Sequence, residues 1–435
     1  MASDIIFSPF KLNSFTLKNR IGVAPMTRMS SPGDSIPRKD VLDFLVRRAE
    51  NGAAVVYTEA IVTDYESAQG YPGQARLISQ RQIEAWKPVV AAIRQEGAVS
   101  IMQMFHCGRM AWPEINPAKR VIAPSAISPK QKNPLTGEPY PVPDEMSIFD
   151  IQHVITGFVE TARGAIAAGF DGIEVHGAHG YLINSFLSSY SNRRKDEYGG
   201  SVENRYRFAH EIIQAVRQVV PPDRLLIFRI SNWGVADMEV SLFDDKPEWQ
   251  QIIKMLSKEP IDAISVSTYD YSAKAFGTDQ TMARITREAT DLPLMICGQI
   301  YDRATAEDAL KDADIILSAK SILLNPNWVD DIRRSKELPL YKSEDANVAY
   351  TDEAIEHLNS ALAGQLGPHS EALIASYNDA KRTLKQELMQ AKTALDKNCI
   401  SRGKRILERL DPWRGGVLGD QRELCLKNCD RRLRE

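Results

Sequence analysis

The sequence predicts an α/β protein whose main domain is a (β/α)8 barrel. Between about residue 20 and residue 335, eight short strand-like runs each precede helical sequence, with one long interruption. The runs are apolar almost throughout, as expected for parallel strands that are buried on both faces. No GxGxxG motif follows an early strand, which disfavours an open, doubly wound sheet. Eight βα units over this length therefore favour a closed barrel.

The predicted elements follow one another regularly along the chain. Residues 7–19 alternate around a short turn, which predicts a hairpin that plugs the N-terminal end of the barrel. Residues 41–52 and 81–97 are amphipathic and predict the first two helices. The proline-rich residues 112–143 interrupt the alternation after the third strand. The eight predicted strands are residues 20–25, 53–60, 99–105, 171–178, 223–231, 262–267, 292–298 and 313–319.

Residues 346–435 predict a helical extension rather than further βα units. Apolar residues such as Ile355, Leu358 and Leu362 recur there at helical spacing. We therefore divide the chain into a barrel domain, residues 1–345, and this C-terminal extension. The extension is expected either to pack on the barrel or on a partner subunit in a homo-oligomer, or to present its arginine-rich end to an acidic partner.

The composition excludes several classes of partner. With 26% charged residues and a net charge of -3, the chain has no electrostatic feature that favours nucleic acid or an anionic membrane. Its start lacks the pattern of a secretory signal, and no apolar run approaches the roughly 20 residues of a membrane-spanning helix. The five cysteines form no disulfide-like or zinc-like framework. We expect a reduced, cytoplasmic protein.

Polar residues follow most of the predicted strands at the end where (β/α)8 barrels place their active sites. Gln103 and Arg229 are suited to bind a polar heterocycle. Gly298 and Lys320 follow the seventh and eighth strands, which is the usual phosphate-binding corner of such barrels. The polar residues at strand ends are Thr27, Gln103, His106, His176, His179, Tyr181, Arg229, Gly298 and Lys320.

The string HGAHGY places His176 and His179 three residues apart, with Tyr181 two residues further on. Three interpretations compete: a metal site, a buried structural pair, or two hydrogen-bond donors to a substrate oxygen. A metal site needs a third ligand, and no HExxH or comparable motif surrounds the two histidines, so we expect no metal. The residues alone leave the structural and substrate-binding interpretations open.

Four longer strings carry a specific pattern. They are FSPFKLNSFTLKNRIGVAPMTR, IMQMFHCGR, EVHGAHGYLINSFLSSYSNRRKDEYGGSVENRYRF and FRIS. Together they resemble the Old Yellow Enzyme family of FMN-dependent ene-reductases, over roughly residues 5–335. The third string is the most specific, and it follows the fourth strand, as it does in that family. The resemblance implies the same barrel fold.

The resemblance also implies which residues bind FMN. Thr27 would lie near the reactive edge of the flavin, Gln103 would hydrogen-bond its pyrimidine edge, and Arg229 would stabilise negative charge near N1 and O2. The family commonly has Gly-Arg after the eighth strand, whereas this chain has Ala319–Lys320, which keeps the charge but loses the bidentate fork of arginine. The implied FMN-binding residues are Pro25, Met26, Thr27, Ala60, Gln103, Arg229, Gly298, Ala319 and Lys320.

The same resemblance implies the residues that act on the substrate. His176 and His179 would both donate hydrogen bonds to one substrate oxygen, and Tyr181 would protonate the α-carbon from the face opposite the flavin. Trp233 would face the substrate. Other candidates for the cavity wall are Trp112, Tyr269 and Tyr271, whereas His106 is either a strand-end site residue or a structural histidine.

The implied activity is that of an FMN-dependent NAD(P)H oxidoreductase that reduces C=C bonds of α,β-unsaturated carbonyl or nitro compounds. NADH or NADPH and the electrophilic alkene would use one pocket in turn, so no separate dinucleotide-binding domain is required. A flavoenzyme of the same fold that isomerises or cyclises its substrate is the main alternative. A dienoyl-CoA-reductase-like enzyme would need a cysteine cluster and a further dinucleotide-binding domain, neither of which appears in the sequence. A flavin-free scaffold is the remaining alternative.

Overall fold

The computed structural model describes residues 4–27, 31, 35–37, 39–64, 66–71, 73–133, 137–336 and 338. Its main feature is a closed barrel of eight strands in which every neighbouring pair is parallel. The last strand pairs with the first, so the barrel sheet has no open edge. The predicted (β/α)8 fold is confirmed. The predicted extension, residues 346–435, lies outside the described residues.

All eight predicted strand runs overlap a strand of the barrel. The third run matches its strand at both ends, and the fifth strand continues three residues beyond its run. Within the described part of the chain, four further short strands lie outside the barrel. In chain order the strands are β1 (Phe10–Leu12), β2 (Phe15–Leu17), β3 (Ile21–Val23), β4 (Val55–Val62), β5 (Val99–Phe105), β6 (Ile122–Ala123), β7 (Asp144–Glu145), β8 (Gly172–His179), β9 (Leu225–Gly234), β10 (Ala263–Ser267), β11 (Leu294–Cys297) and β12 (Ile315–Ser318).

Helices alternate with the barrel strands, and polar side chains cap their N-termini. The Ser201 hydroxyl accepts the backbone N–H of Asn204, and Ser79 and Asp245 cap two other helices. No described helix is both long enough and apolar enough to span a bilayer. The helices are α1 (Lys39–Glu50), α2 (Gln80–Gln95), α3 (Ile148–Ala168), α4 (Leu182–Leu187), α5 (Val202–Arg217), α6 (Lys246–Leu256), α7 (Met282–Arg287), α8 (Arg303–Ala309), α9 (Lys320–Leu324) and α10 (Trp328–Arg333).

The N-terminal hairpin closes the barrel at the N-terminal ends of its strands. Strands β1 and β2 pair antiparallel, and Leu12 and Leu17 pack with the inward-facing apolar residues of the barrel strands. The Asn13 side-chain amide donates a hydrogen bond of 2.9 Å to the carbonyl oxygen of Pro222, shortly before β9 begins. These contacts confirm that the hairpin plugs the N-terminal end. Chemistry is therefore left to the opposite end.

The inward face of several barrel strands changes from apolar to polar toward the C-terminal ends of the strands. Side chains alternate along a strand, so Val99, Ile101 and Gln103 of β5 share the inward face. Val99 and Ile101 pack in the apolar cluster above the hairpin. Gln103 lies one layer closer to the C-terminal ends of the strands and is also buried. A buried polar layer near these ends marks the region where an active site of this fold is built.

Candidate active site

The fourth barrel strand carries the HGAHGY string into a tight turn. Strand β8 pairs regularly with β9 as far as Gly177, and the register then shifts before His179. His179 adopts a left-handed backbone conformation with φ of 63°, which is uncommon for a residue with a side chain. The turn brings the rings of His176 and His179 to 5.0 Å between centroids, nearly perpendicular to each other. The two imidazoles therefore belong to one site.

Both imidazoles are neutral at neutral pH. Burial, together with the nearby positive charge of Arg229, lowers the pKa of His176 and of His179 well below the ordinary value. Nδ1 of His176 accepts the backbone N–H of Ala178 at 3.3 Å, so the neutral ring carries its proton on Nε2. Nε2 of His179 lies 2.7 Å from the Ser267 hydroxyl oxygen. The pair is thus a set of uncharged hydrogen-bonding groups, and no group of three potential metal ligands occurs in the described part of the chain.

The lowered histidine pKa values predict a loss of stability in mild acid. Below about pH 6.5, where histidine in an unfolded chain gains a proton, the unfolded state binds more protons than the folded state. The free energy of unfolding should then fall by about 1.4 kcal/mol per pH unit for each buried histidine. Urea unfolding of the protein and of the double variant His176→Asn, His179→Asn at pH 7.5 and pH 5.5 measures this. Equal declines in both proteins would contradict the prediction.

Tyr181 places a protonated phenol beside the imidazoles. Its ring centroid lies 5.2 Å from that of His176, and Phe105 contacts the ring edge-on at 4.6 Å. Burial raises the pKa of Tyr181 well above its ordinary value. The phenol therefore holds its proton at neutral pH.

Tyr71 is a site residue that sequence reasoning missed. Its hydroxyl oxygen lies 2.9 Å from that of Tyr181, and burial raises the pKa of Tyr71 to about 12. It follows β4 in the string QGYPG, where glycine and proline predict a loop but say nothing about where the phenol lies. The rule that loops after barrel strands converge on the active site was the one signal available for it.

A buried polar layer lies next to the imidazoles, on the side of the N-terminal ends of the barrel strands. The Gln103 side-chain amide donates a hydrogen bond of 2.7 Å to Oε1 of Glu174, and the Arg229 guanidinium is 3.9 Å from the same oxygen. Arg229 also donates to the hydroxyls of Ser265 and Ser267, each at 3.1 Å. Sequence analysis singled out Gln103 and Arg229 but not Glu174. A carboxylate within an otherwise apolar strand was a signal that could have found it.

The residues predicted on the first two barrel strands lie at the same end of the barrel. Pro25, Met26 and Thr27 follow β3 after one intervening residue and are half-buried. Ala60 is opposite Gln103 in the β4–β5 pairing, just after an irregularity in the register of β4. Such a bulge changes the direction of the strand at a barrel rim. These residues border the mouth of the barrel beside the polar layer.

The residues predicted for a phosphate lie on the rim at the seventh and eighth strands. Gly298 follows β11, whereas Ala319 and Lys320 follow β12 and begin α9. Strands β11 and β12 are paired, so the three residues are on neighbouring parts of the rim. All three are half-buried. These three residues thus form one corner of the rim, after β11 and β12. The histidine–tyrosine site lies on another part of the rim, at the end of β8.

The backbone conformation at Gly298 and the space around it leave no room for a side chain. We therefore expect that adding one methyl group there lowers the stability of the fold. The φ of Gly298 is 130°, and a Cβ at this position would lie 2.5 Å from both the carbonyl and the hydroxyl oxygen of Thr268. Gly298→Ala should lower the free energy of unfolding by at least about 2 kcal/mol. Gly277→Ala is the matched control, since Gly277 also has a positive φ but a Cβ there meets no atom within 4 Å. Equal losses in urea unfolding would contradict the steric argument.

Trp233 forms a wall of the histidine site. Its ring centroid lies 4.6 Å from that of His179, and its indole N–H donates to the Ser267 carbonyl at 3.0 Å. Tyr269 contacts the far side of Trp233 at 6.0 Å and is 58% exposed. Trp233 therefore packs against the histidine pair, and its role toward a substrate stays a prediction.

The other aromatic and histidine candidates have different partners. Nδ1 of His106 accepts the Gly108 backbone N–H at 3.1 Å, and its Nε2 is 3.4 Å from the Asp64 carboxylate. These contacts tie two loops together and favour the structural interpretation of His106. The Tyr271 hydroxyl donates to Asp308 at 3.1 Å, and Trp112 is buried.

Comparison with known proteins relates this fold and site to one family. A sequence model described as the NADH:flavin oxidoreductase / NADH oxidase family matches residues 5–339. The chain is 41% identical over 360 residues to a protein from Oryza sativa subsp. japonica named putative 12-oxophytodienoate reductase 4, covering 80% of this chain and 92% of the relative.

Two solved structures are similar to the barrel. Morphinone reductase in complex with tetrahydroNAD has a TM-score of 0.70 and 26% identity, covering 80% of this chain and 96% of that chain. The old yellow enzyme homologue from Zymomonas mobilis has a TM-score of 0.71 and 30% identity, covering 80% and 99%. These relationships support an FMN-dependent oxidoreductase that uses NADH or NADPH. The chain belongs to the NADH:flavin oxidoreductase / NADH oxidase family, the Old Yellow Enzyme family whose motifs its sequence carries.

Proposed function

We propose that this protein is an ene-reductase that reduces the C=C bond of α,β-unsaturated carbonyl or nitro compounds. The observation that carries the proposal is the grouping of two neutral imidazoles, 5.0 Å apart, with a protonated phenol 5.2 Å from one of them. Hydrogen-bond donors at one substrate oxygen and a proton donor beside them are the groups that such a reduction requires from the protein.

The described residues fit FMN at the mouth of the barrel. Gln103 provides a buried amide, and Arg229 provides a buried guanidinium whose Nε has no hydrogen-bond partner among the described residues. An amide and a cation of this kind suit the carbonyl and imide groups of a flavin pyrimidine ring. The residues we propose hold FMN are Pro25, Met26, Thr27, Ala60, Gln103, Arg229, Gly298, Ala319 and Lys320. When bound, FMN supplies the hydride for the β-carbon.

The protein side chains bind the substrate and supply the proton. His176 and His179 bind the carbonyl or nitro oxygen of the substrate and stabilise the negative charge that grows on it. Tyr181 gives its proton to the α-carbon, and Trp233 limits the space beside His179. Because both imidazoles are neutral, the stabilisation comes from hydrogen bonds rather than from an ion pair, and it persists across neutral pH.

We further propose that NADH or NADPH and the alkene occupy the same pocket in turn. The test is anaerobic reduction of the FMN-loaded protein with NADPH, followed by cyclohexenone, while the visible flavin spectrum is recorded. Bleaching followed by return of the oxidised spectrum supports the proposal. Bleaching without recovery would favour isomerase-like chemistry, and a protein that takes up no FMN would overturn the proposal.

The division of the chain at residue 345 leads to a separate proposal. We propose that residues 346–435 form a unit distinct from the barrel and join subunits into a homo-oligomer in the cytoplasm. The helical spacing of apolar residues in this segment supports it. Light scattering of the full chain and of residues 1–345 tests it. A full-length protein that is monomeric would contradict it.

A further inference from the structure

Glu174 is a fully buried carboxylate in the interior of the barrel. It lies on β8, two residues before His176, and none of its surface is exposed. Burial raises its pKa, although the nearby Arg229 acts in the opposite direction. Removing a carboxylate from water is strongly unfavourable unless partners compensate. The partners of Glu174 therefore indicate what it is for.

Those partners are the two side chains that we propose hold the flavin pyrimidine ring. Oε1 of Glu174 accepts the hydrogen bond from the Gln103 amide at 2.7 Å and lies 3.9 Å from Nη1 of Arg229. Tyr57 and Ser265 lie near the carboxyl group, but its second oxygen, Oε2, is buried and has no hydrogen-bond partner among the described residues. Glu174 on β8 thus lies between the Gln103 amide of β5 and the Arg229 guanidinium of β9, the two strands that pair with β8.

A carboxylate in this place has two physical consequences. In its ionised form, which the Arg229 guanidinium 3.9 Å away favours, the group accepts hydrogen bonds but cannot donate them. The Gln103 amide must then turn its NH2 group toward Glu174 and its carbonyl oxygen away. The carboxylate also lies beside the positive charge of Arg229 and offsets part of it. Arg229 keeps other partners, the hydroxyls of Ser265 and Ser267 and the Cys297 sulfur at 3.0 Å, so the carboxylate is not needed merely to hold the guanidinium in place.

We propose that Glu174 is a positioning residue for FMN, which fixes the orientation of the Gln103 amide and lowers the reduction potential of the cofactor by offsetting Arg229. This inference rests on the proposed FMN site. It extends that site by one residue that does not itself contact the cofactor. The net charge beside the pyrimidine ring then depends on the pair Glu174 and Arg229, rather than on Arg229 alone.

The test compares Glu174→Gln, which removes the charge at constant size, with Glu174→Asp, which keeps the charge and retracts it. Fluorescence quenching of FMN by the apoprotein gives the dissociation constant, and equilibration with a reference dye gives the midpoint potential. Glu174→Gln should shift the potential in the positive direction and weaken FMN binding about tenfold, the effect of one misdirected hydrogen bond. Glu174→Asp should weaken binding but keep the potential closer to that of the unaltered protein.

The outcomes separate this inference from the proposed function. An unaltered protein that binds no FMN would overturn both. Suppose that the unaltered protein binds FMN, and that Glu174→Gln has the same midpoint potential and a dissociation constant within about twofold of the unaltered value. That result would overturn only the role of Glu174. Lower thermal stability of the Glu174→Gln apoprotein without a shift in potential would also overturn it, as a purely structural effect. If Glu174→Gln does not fold, unchanged FMN binding by Glu174→Asp is the overturning result.

Discussion

Replacing Tyr181 with phenylalanine is expected to leave flavin reduction by NAD(P)H nearly intact and to slow reoxidation by an enone about 10²–10⁴-fold. The phenol is buried, its pKa is raised, and it lies beside the imidazole of His176. Phenylalanine keeps the ring and its packing on Phe105 but has no proton to give. The α-carbon would then depend on water, which the burial of the site restricts.

Stopped-flow measurement of the two half-reactions checks this expectation. Tyr71→Phe is the matched control, because it removes the hydroxyl that lies 2.9 Å from Tyr181 but leaves the proposed proton donor in place. Its effect on reoxidation should be much smaller, limited to the loss of one hydrogen bond, about tenfold. Equal loss in both half-reactions of Tyr181→Phe would show that the residue packs rather than donates a proton.

Removing both imidazoles is the second change with a large expected effect. We expect a phenol to bind as the phenolate between the two imidazoles and to give a long-wavelength charge-transfer band with the flavin. The double variant His176→Ala, His179→Ala should show no such band, because the phenolate oxygen would have no donors. Reoxidation by an enone should also slow by at least about 10²–10³-fold, the effect of losing one preorganised donor. The two losses need not add, because the rings contact each other at 5.0 Å and act on one oxygen.

A titration of the oxidised FMN-loaded protein with a phenol, followed at long wavelength, measures the first effect. His210→Ala is a suitable control, since His210 lies on α5 with an exposed side chain bonded to Glu259. It should leave both the band and the rate unchanged. An undiminished band in the double variant would place the oxyanion-binding groups elsewhere in the barrel.

Much of the candidate site follows from the order of residues along single strands. Gln103 interrupts an apolar strand near its C-terminal end, Arg229 interrupts another in its middle, and the histidines occupy a specific string at the end of a third strand. Strand alternation and the barrel rule then suffice to bring them to one end. Tyr71 did not follow from this reasoning, because a loop residue acquires its position from contacts distant in sequence, here with a residue 110 positions later.

The protonation states and pairings were also beyond the sequence. A glutamate in a strand is a charge without a known partner until the barrel closes and places Gln103 and Arg229 against it. The neutral state of His176 depends on how deeply its ring is buried and on the distance to a cation of the next strand. Such quantities arise from three-dimensional packing, because hydration and Coulomb energies depend on distance rather than on sequence order.

The amino-acid order alone was sufficient to predict the barrel, its hairpin plug and the family, because buried parallel strands and a long specific string leave local, periodic traces. Only the folded chain could show that Glu174 joins two proposed cofactor ligands, that Tyr71 meets Tyr181 and that Gly298 has no room for a methyl group. The reason is physical. Periodicity is a property of neighbouring residues, whereas contacts, burial and charge pairing across a closed barrel exist only once its last strand pairs with its first.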